Sequence, residues 1–365
     1  MNLRVVSLFS IILFLSACSL SNSSDESLKY SFELVDQIIL DPNKIKDESV
    51  LGGLSSIDYL GSNQYIVISD DRSEYSDARL YKLQIQFSEE GIENYEFLNT
   101  IYLKNELNNR FSQDELDPES IRYRKKSNSY FITSEGGRIG GYIDPFIWEI
   151  NKNGEFLRNI ETPSLFRFYE DKGVRKNGAF ESLSFENDTI IWYVNELPLI
   201  QDGISPGFTK GSYPLRLVRY DIKNNKVLAQ YAYQIEPLQK KPIPEDGFYI
   251  NSVPEILWID DNTLWVMERS YTTGVGNFVR VYQVNTSKAS DIQNIEYLEG
   301  SEFNSVSKRL VLDFSDYNIR IDNIEGLTFG PNFPDGSKSV LFISDDNFNK
   351  DQETQLWLFK MNYDF

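Results

Sequence analysis

The sequence predicts an all-β fold, a β-propeller of five blades with six as the alternative, and three observations predict it. A short strand-like phrase recurs five times at near-equal spacing, each copy is followed by a second apolar strand ending in an acid, and no stretch of useful length carries helical periodicity. The phrase reads GLSSIDY at 53–59, PESIRY at 118–123, FESLSF at 180–185, PEILWI at 254–259 and EGLTFG at 325–330. Its marker position holds Ser55, Glu119, Glu181, Glu255 and Glu325, at intervals of 64, 62, 74 and 70 residues.

The second strand of each unit ends VISD, ITSE, YVNE, WVME or FISD, placing Asp70, Glu135, Glu196, Glu268 and Asp345 at 15, 16, 15, 13 and 20 residues from the marker. Such intervals suit a hairpin, the longest absorbing the turn-forming insertion GPNFPDG at 330–336. A third strand carries a central aromatic residue: Tyr81, Trp148, Tyr220, Tyr282 and Phe359. A fourth reads FLNTIYL at 97–103, EFLRNIE at 155–161, VLAQYAYQI at 227–235 and KRLVLDF at 308–314. The fifth unit stops before its fourth strand, and the spare strand YSFELVDQIIL at 30–40 precedes the first unit. Pairing the two closes the ring and removes the exposed edges of an open sheet. The stretch PLQKKPIPEDG at 237–247 reads as a long loop between blades.

Residues 1–17 have one basic residue, Arg4, then an apolar run from Val5 to Leu15, the pattern of a signal peptide. Leu15-Ser16-Ala17-Cys18 resembles a bacterial lipobox, and Cys18 is the only cysteine. The expectation is a lipoprotein: a signal peptide over 1–17, a lipidated Cys18 with palmitate among its acyl chains, a flexible tether through 27, and a folded domain over 28–365. Ser19 after the cysteine points to the outer membrane of a bacterial envelope.

Composition narrows the chemistry. Fifty-five acidic residues against 36 basic ones give a net charge of −19, which disfavours nucleic acid as a partner. Histidine is absent, so Ser-His-Asp and Cys-His mechanisms and His-ligated metals are excluded. Carboxylates, Lys, Tyr and water on a hard metal ion remain.

In a propeller the first strand of each blade lines the central channel, so the marker glutamates Glu119, Glu181, Glu255 and Glu325 are expected near one opening as the catalytic candidates. The acids of the second strands surround them, with Asp70, Asp71, Asp345 and Asp346 as the candidate metal ligands. Unit charges ~4 Å apart repel by about 1 kcal/mol in water and about 4 kcal/mol in a partly buried site, so such a ring needs cations, protons or hydrogen-bond donors. Oxygen-only donors suit Ca²⁺ or Mg²⁺, and Ca²⁺ is the expected ion. Arg72, Arg122 and Arg269, beside the acidic positions, are the candidates for holding an anionic ligand. The competing architectural reading has the repeated acids accept backbone N–H groups and lock blade to blade. Asp345 to Asp351 places oxygen side chains at alternating positions but lacks the glycine and distal glutamate of an EF-hand, and reads as a solvated turn. Ser305-Val306-Ser307-Lys308 has Ser-x-x-Lys spacing with no supporting motif.

The phrases GGLSSIDY, YIVISDDRSEYSDARLYKL, DPESIRY, YFITSEG, PEILWIDDNTLWVMERS, DNIEGLTFGPNFPDG and LFISDDNF together resemble the phytase-like family described as having an esterase-like activity of phytase, over about residues 50–361. The resemblance implies a secreted or envelope protein, propeller-like, with a hydrolase label; the expected chemistry is hydrolysis of phosphate or related esters by Ca²⁺-activated water. It supplies no catalytic set. The expected partner is a small anionic ester and the expected state a monomer, with a non-catalytic ligand- or protein-binding propeller as the alternative.

Overall fold

The computed structural model describes residues 30–45 and 47–363; the segment 1–29, with the signal-peptide motif, Cys18 and the whole tether, lies outside them. Twenty strands form five four-stranded antiparallel sheets, and the described residues contain no α-helix. Blade I comprises β2 (Leu54–Gly61), β3 (Gln64–Ser69), β4 (Arg79–Ser88) and β5 (Gly91–Tyr102). Blade II is built from β6 (Pro118–Arg124), β7 (Ser129–Ser134), β8 (Phe146–Asn151) and β9 (Phe156–Ile160). Blade III holds β10 (Phe180–Asn187), β11 (Ile190–Asn195), β12 (Pro214–Asp221) and β13 (Lys226–Gln234). Blade IV holds β14 (Tyr249–Asp260), β15 (Thr263–Thr272), β16 (Gly276–Asn285) and β17 (Ser307–Asp313). In blade V, β18 (Asn323–Phe329), β19 (Lys338–Asp345) and β20 (Gln355–Tyr363) are completed by β1 (Tyr30–Ile39), which pairs with β20 so that Leu34 opposes Phe359.

The innermost strands meet in a ring: β2 lies against β18 and β6, β10 against β6 and β14, and β14 against β18. Five blades, rather than six, close it. The core is therefore five layers between neighbouring sheets instead of one central mass. Blades IV and V bury Trp265, Val281, Phe342 and Trp357 against each other, and blades II and III bury Phe131, Phe180 and Tyr193. Each such large side chain contributes about 1.5–3 kcal/mol by leaving water, so the apolar faces of the sheets supply the cohesion and leave the channel free for polar groups.

One backbone device recurs where the channel opens. The pairing of first and second strands shifts register between Leu54 and Ser56, Pro118 and Ile121, Phe180 and Ser182, Ser252 and Glu255, and Ile324 and Gly326. These are β-bulges, which re-aim a side chain out of the normal alternation. In blades I, II, III and V the marker residue sits inside the bulge, and the second-strand acid lies at the same end of the hairpin. In blade IV the bulge falls one step early, on Val253 and Pro254, so Glu255 pairs in register with Met267 and Glu268 lies opposite the bulge.

Candidate metal centre at the channel mouth

The bulges bring eight carboxylates together at one end of the channel: Asp70, Asp117, Glu119, Glu135, Glu181, Glu196, Glu325 and Asp345, each of which feels another of the group electrostatically. Seven were expected from the repeat. Asp117, which the repeat did not mark, enters because it immediately precedes β6. Two subsets are tight: the ligand oxygens of Asp117, Glu119 and Glu135 lie within 4.8 Å of one another, and so do those of Glu135, Glu181 and Glu196. Glu135 belongs to both.

Two arginines temper the charge. Arg72 Nε lies 2.6 Å from Asp117 Oδ1, and Arg269 Nη2 lies 2.7 Å from Glu325 Oε1 and 3.7 Å from Glu196 Oε1. Asn323 donates from Nδ2 to Glu325 at 3.0 Å and to Asp345 at 3.2 Å. The Ala179 N–H donates to Glu135, and the Asn347 N–H donates to Asp345 at 2.7 Å.

These donors do not cancel the repulsion. Burial pushes Glu119 well above the ordinary carboxylate range, and Asp117, Glu181, Asp70 and Glu135 add to the rise. Glu181 is raised by burial and then by Glu196, Glu325 and Glu135, while Asp70 is raised by burial and then by Asp345, Glu325 and Asp117. Glu135 and Asp345 are raised too, against the pull of their backbone donors. Carboxyl oxygens of Glu181 and Glu196 approach each other within 4.8 Å, as do those of Asp117 and Glu119. Such contacts need a proton or a cation between the paired oxygens.

The remaining sequence-selected residues lie elsewhere. Glu255 and Arg122 form an ion pair of 2.8 Å with relative side-chain exposures of 0% and 3%. The Arg122 guanidinium also donates to the carbonyls of Ile57, Ile121, Ile256 and Leu327, tying together the innermost strands of four blades. Ser56 Oγ and the Ile256 N–H donate to Glu255 at 2.8 and 3.0 Å. Burial raises Glu255 to about 7 against Arg122 and these donors. The pair is a tie across the hub, set away from the mouth by the early bulge of blade IV.

Asp71 is equally committed to structure. It pairs with buried Arg79 at 2.6 Å and accepts the N–H groups of Glu74, Tyr75 and Ser76, capping the loop after β3. Asp346 accepts from the Gly53 N–H, the Phe348 N–H and the Thr354 hydroxyl, holding blade V to blade I. Within the stretch from 345 to 351, the N–H groups of Asn347, Phe348 and Asp351 are capped by Asp345, Asp346 and Asn349, the pattern of a turn. Glu268 accepts from Tyr233, Glu236 N–H, Asn251 and Lys308, which accounts for the lysine of the Ser-x-x-Lys match. Ser55 donates to the Glu119 carbonyl at 2.7 Å and joins blade I to blade II.

Beside the first acid triad, a small cleft runs along the loops of blades I, II and III. Asp117 and Glu135 form part of its wall with Arg72, Arg138, Lys176 and Tyr142.

A family model described as phytase-like, esterase-like activity of phytase, matches residues 49–348. The chain belongs to the phytase-like family. No curated protein matches this phytase-like chain. Among solved structures, a bifunctional GH43-CE protein from Bacteroides eggerthii is 13% identical, with a TM-score of 0.43 over 88% of the phytase-like chain, which spans 34% of that protein. An alpha-L-arabinofuranosidase from Lactobacillus brevis is 11% identical, with a TM-score of 0.44 over 86% of this chain and 92% of its own. A periplasmic gluconolactonase from Pseudomonas aeruginosa is 9% identical, with a TM-score of 0.39 over 84% of each chain.

Proposed function

We propose that the chain is a calcium-dependent hydrolase of small anionic esters, phosphate esters foremost, anchored at a bacterial cell envelope, in the outer membrane, through a lipid on Cys18. One observation carries the chemistry: eight carboxylates converge on one mouth of the channel against two arginines, in a protein without histidine.

The donor set fits Ca²⁺. It is all oxygen, and the 4.8 Å spread within each triad is one that a single ion with ligands at about 2.3–2.6 Å spans. Asp117, Glu119, Glu135, Glu181 and Glu196 would hold it. When bound, the ion supplies positive charge that lowers the pKa of water and neutralises an anionic ester. Glu135, common to both triads, couples the two halves of the site. Arg72 and Arg269 balance the charge and orient a substrate oxygen, and Asp70, Glu325 and Asp345 complete the wall. Asp71, Asp346, Arg122 and Glu255 take no part.

Hydrolysis of a panel of phosphate monoesters by the full chain tests this reading. EDTA should abolish turnover and added calcium should restore it. No turnover of any ester, together with no change in melting temperature on adding calcium, would leave the non-catalytic binding propeller.

A further inference from the structure

The cleft between blades II and III has a feature that the acid cluster does not need. In a protein with 55 acidic and 36 basic residues, its wall carries three cations, Arg72, Arg138 and Lys176, directly beside Asp117 and Glu135. Arg72 is committed to Asp117. The other two are not: among the described residues neither Arg138 nor Lys176 takes part in an ion pair. The Arg138 guanidinium donates to the Asn177 side-chain oxygen, and Lys176 Nζ stands 4.7 Å from the centre of the Tyr142 ring. Arg138 acts on Asp117 through space without a direct ion pair, so both side chains keep donors with which to meet an anion.

The loops that present them are tightly built. The Asp114 N–H donates to the Arg72 carbonyl and the Arg138 N–H to the Asp114 carbonyl, at 2.9 and 2.7 Å, so the Arg72, Asp114 and Arg138 backbones are zipped together. Gly137 and Ile143 exchange two backbone hydrogen bonds, which fold the segment between them back over the cleft. This turn needs Gly136 and Gly137 directly after Glu135. A Cβ on Gly136, at φ +100°, would stand 2.0 Å from the Ile143 carbonyl oxygen, and one on Gly137 would stand 2.7 Å from the Glu115 carbonyl oxygen. The two glycines that follow Glu135 therefore fix the backbone that carries Arg138. Tyr142 packs against Phe168 at a tilt, with ring centres 5.0 Å apart, and both line the cleft.

We infer that Arg138 and Lys176, with Asn177 orienting the guanidinium, form an oxyanion-binding subsite at the blade II–III rim that takes a phosphate or like tetrahedral anionic group. This deepens the proposed function by naming where a substrate's anionic group rests on its way to Asp117 and Glu135, and it rests on that reading only for the word substrate. The binding itself is independent of calcium and of turnover. A guanidinium and an ammonium donating to one dianion form charge-assisted hydrogen bonds, and the neighbouring Tyr142 and Phe168 rings present aromatic surface to whatever the anion is attached to.

The test uses inorganic phosphate as the probe and the full chain kept in EDTA, with binding read by titration calorimetry. Arg138→Gln with Lys176→Gln, both at exposed positions, should weaken phosphate binding by about tenfold or more. Arg138→Lys with Lys176→Arg, which keeps both charges, should retain binding within about threefold. Phosphate affinity unchanged within about twofold in the glutamine variant would overturn the inference, as would absence of phosphate binding to the wild-type chain. A chain that binds phosphate at this rim yet hydrolyses nothing keeps the subsite and removes the hydrolase reading, so the two failures are separable.

Discussion

Replacing Arg122 by methionine removes the guanidinium that joins four blades and leaves Glu255, 0% exposed, without its counter-charge. Breaking a buried pair in this way costs about 3–5 kcal/mol, because the remaining charge keeps its desolvation penalty. The four carbonyls of Ile57, Ile121, Ile256 and Leu327 lose a donor at the same time. The effect has a pH signature. Glu255 stands at about 7 with Arg122 in place, and without Arg122 it rises further. A carboxyl whose folded pKa exceeds its unfolded value binds protons more tightly when folded, so it costs nothing at acid pH and its penalty grows as pH rises through the folded pKa. The variant should therefore lose more stability at about pH 8 than at about pH 5, by up to about 1.4 kcal/mol for each unit of pKa gap crossed. Urea denaturation followed by the fluorescence of buried Trp192, Trp265 and Trp357 measures both values. Adding Glu255→Leu to Arg122→Met should recover most of the loss, since an apolar pair needs no partner charge. A deficit below about 1 kcal/mol, or one equal at the two pH values, would refute the hub tie.

Asp71→Asn removes the charge opposite buried Arg79 and should cost about 3 kcal/mol while calcium affinity stays within about twofold, read by urea denaturation and calcium titration. Gly136→Ala places a Cβ against the Ile143 carbonyl and should cost about 1–3 kcal/mol, with phosphate binding at the rim weakened alongside. Without calcium, the raised carboxyls at the mouth bind protons more tightly in the folded chain, so stability should fall as pH rises above the ordinary carboxylate range. Saturating calcium, which favours their ionised forms, should flatten that slope, and thermal melts across pH with and without EDTA check it.

The ring was legible because architecture repeats. Five phrases at similar spacing located every blade, and an acid 15 or 16 residues beyond the marker in blades I, II and III did reach the mouth. Blade V reached it as well, since its extra residues lie in the turn at 330–336, away from the bulge. Blade IV did not, and its interval of 13 was the signal: the bulge had moved to Val253 and Pro254, so Glu255 and Glu268 turned to structural partners while Arg269 reached the acids. Equal spacing conceals a register slip because one residue reverses the face of a strand.

The doubled acids of the two ISDD segments show the opposite case. Asp71 and Asp346 stand beside site residues in sequence, yet each caps N–H groups two to five positions on, and such short-range hydrogen bonds are settled by the local turn. Asp117, Arg138 and Lys176 escaped because they belong to no repeated position. Asp117 sits just before β6, and the other two lie on loops whose placement depends on backbone bonds between segments far apart in the chain.

Calcium titration of Glu135→Gln beside the wild-type chain, followed by calorimetry near neutral pH, tests the convergence most directly, because Glu135 alone belongs to both triads. The wild type should bind calcium and release protons as the raised carboxyls ionise, and the variant should bind about tenfold or more weakly. Equal affinity in the two proteins, or no binding by the wild type, would contradict a cation seat at the mouth of the wheel.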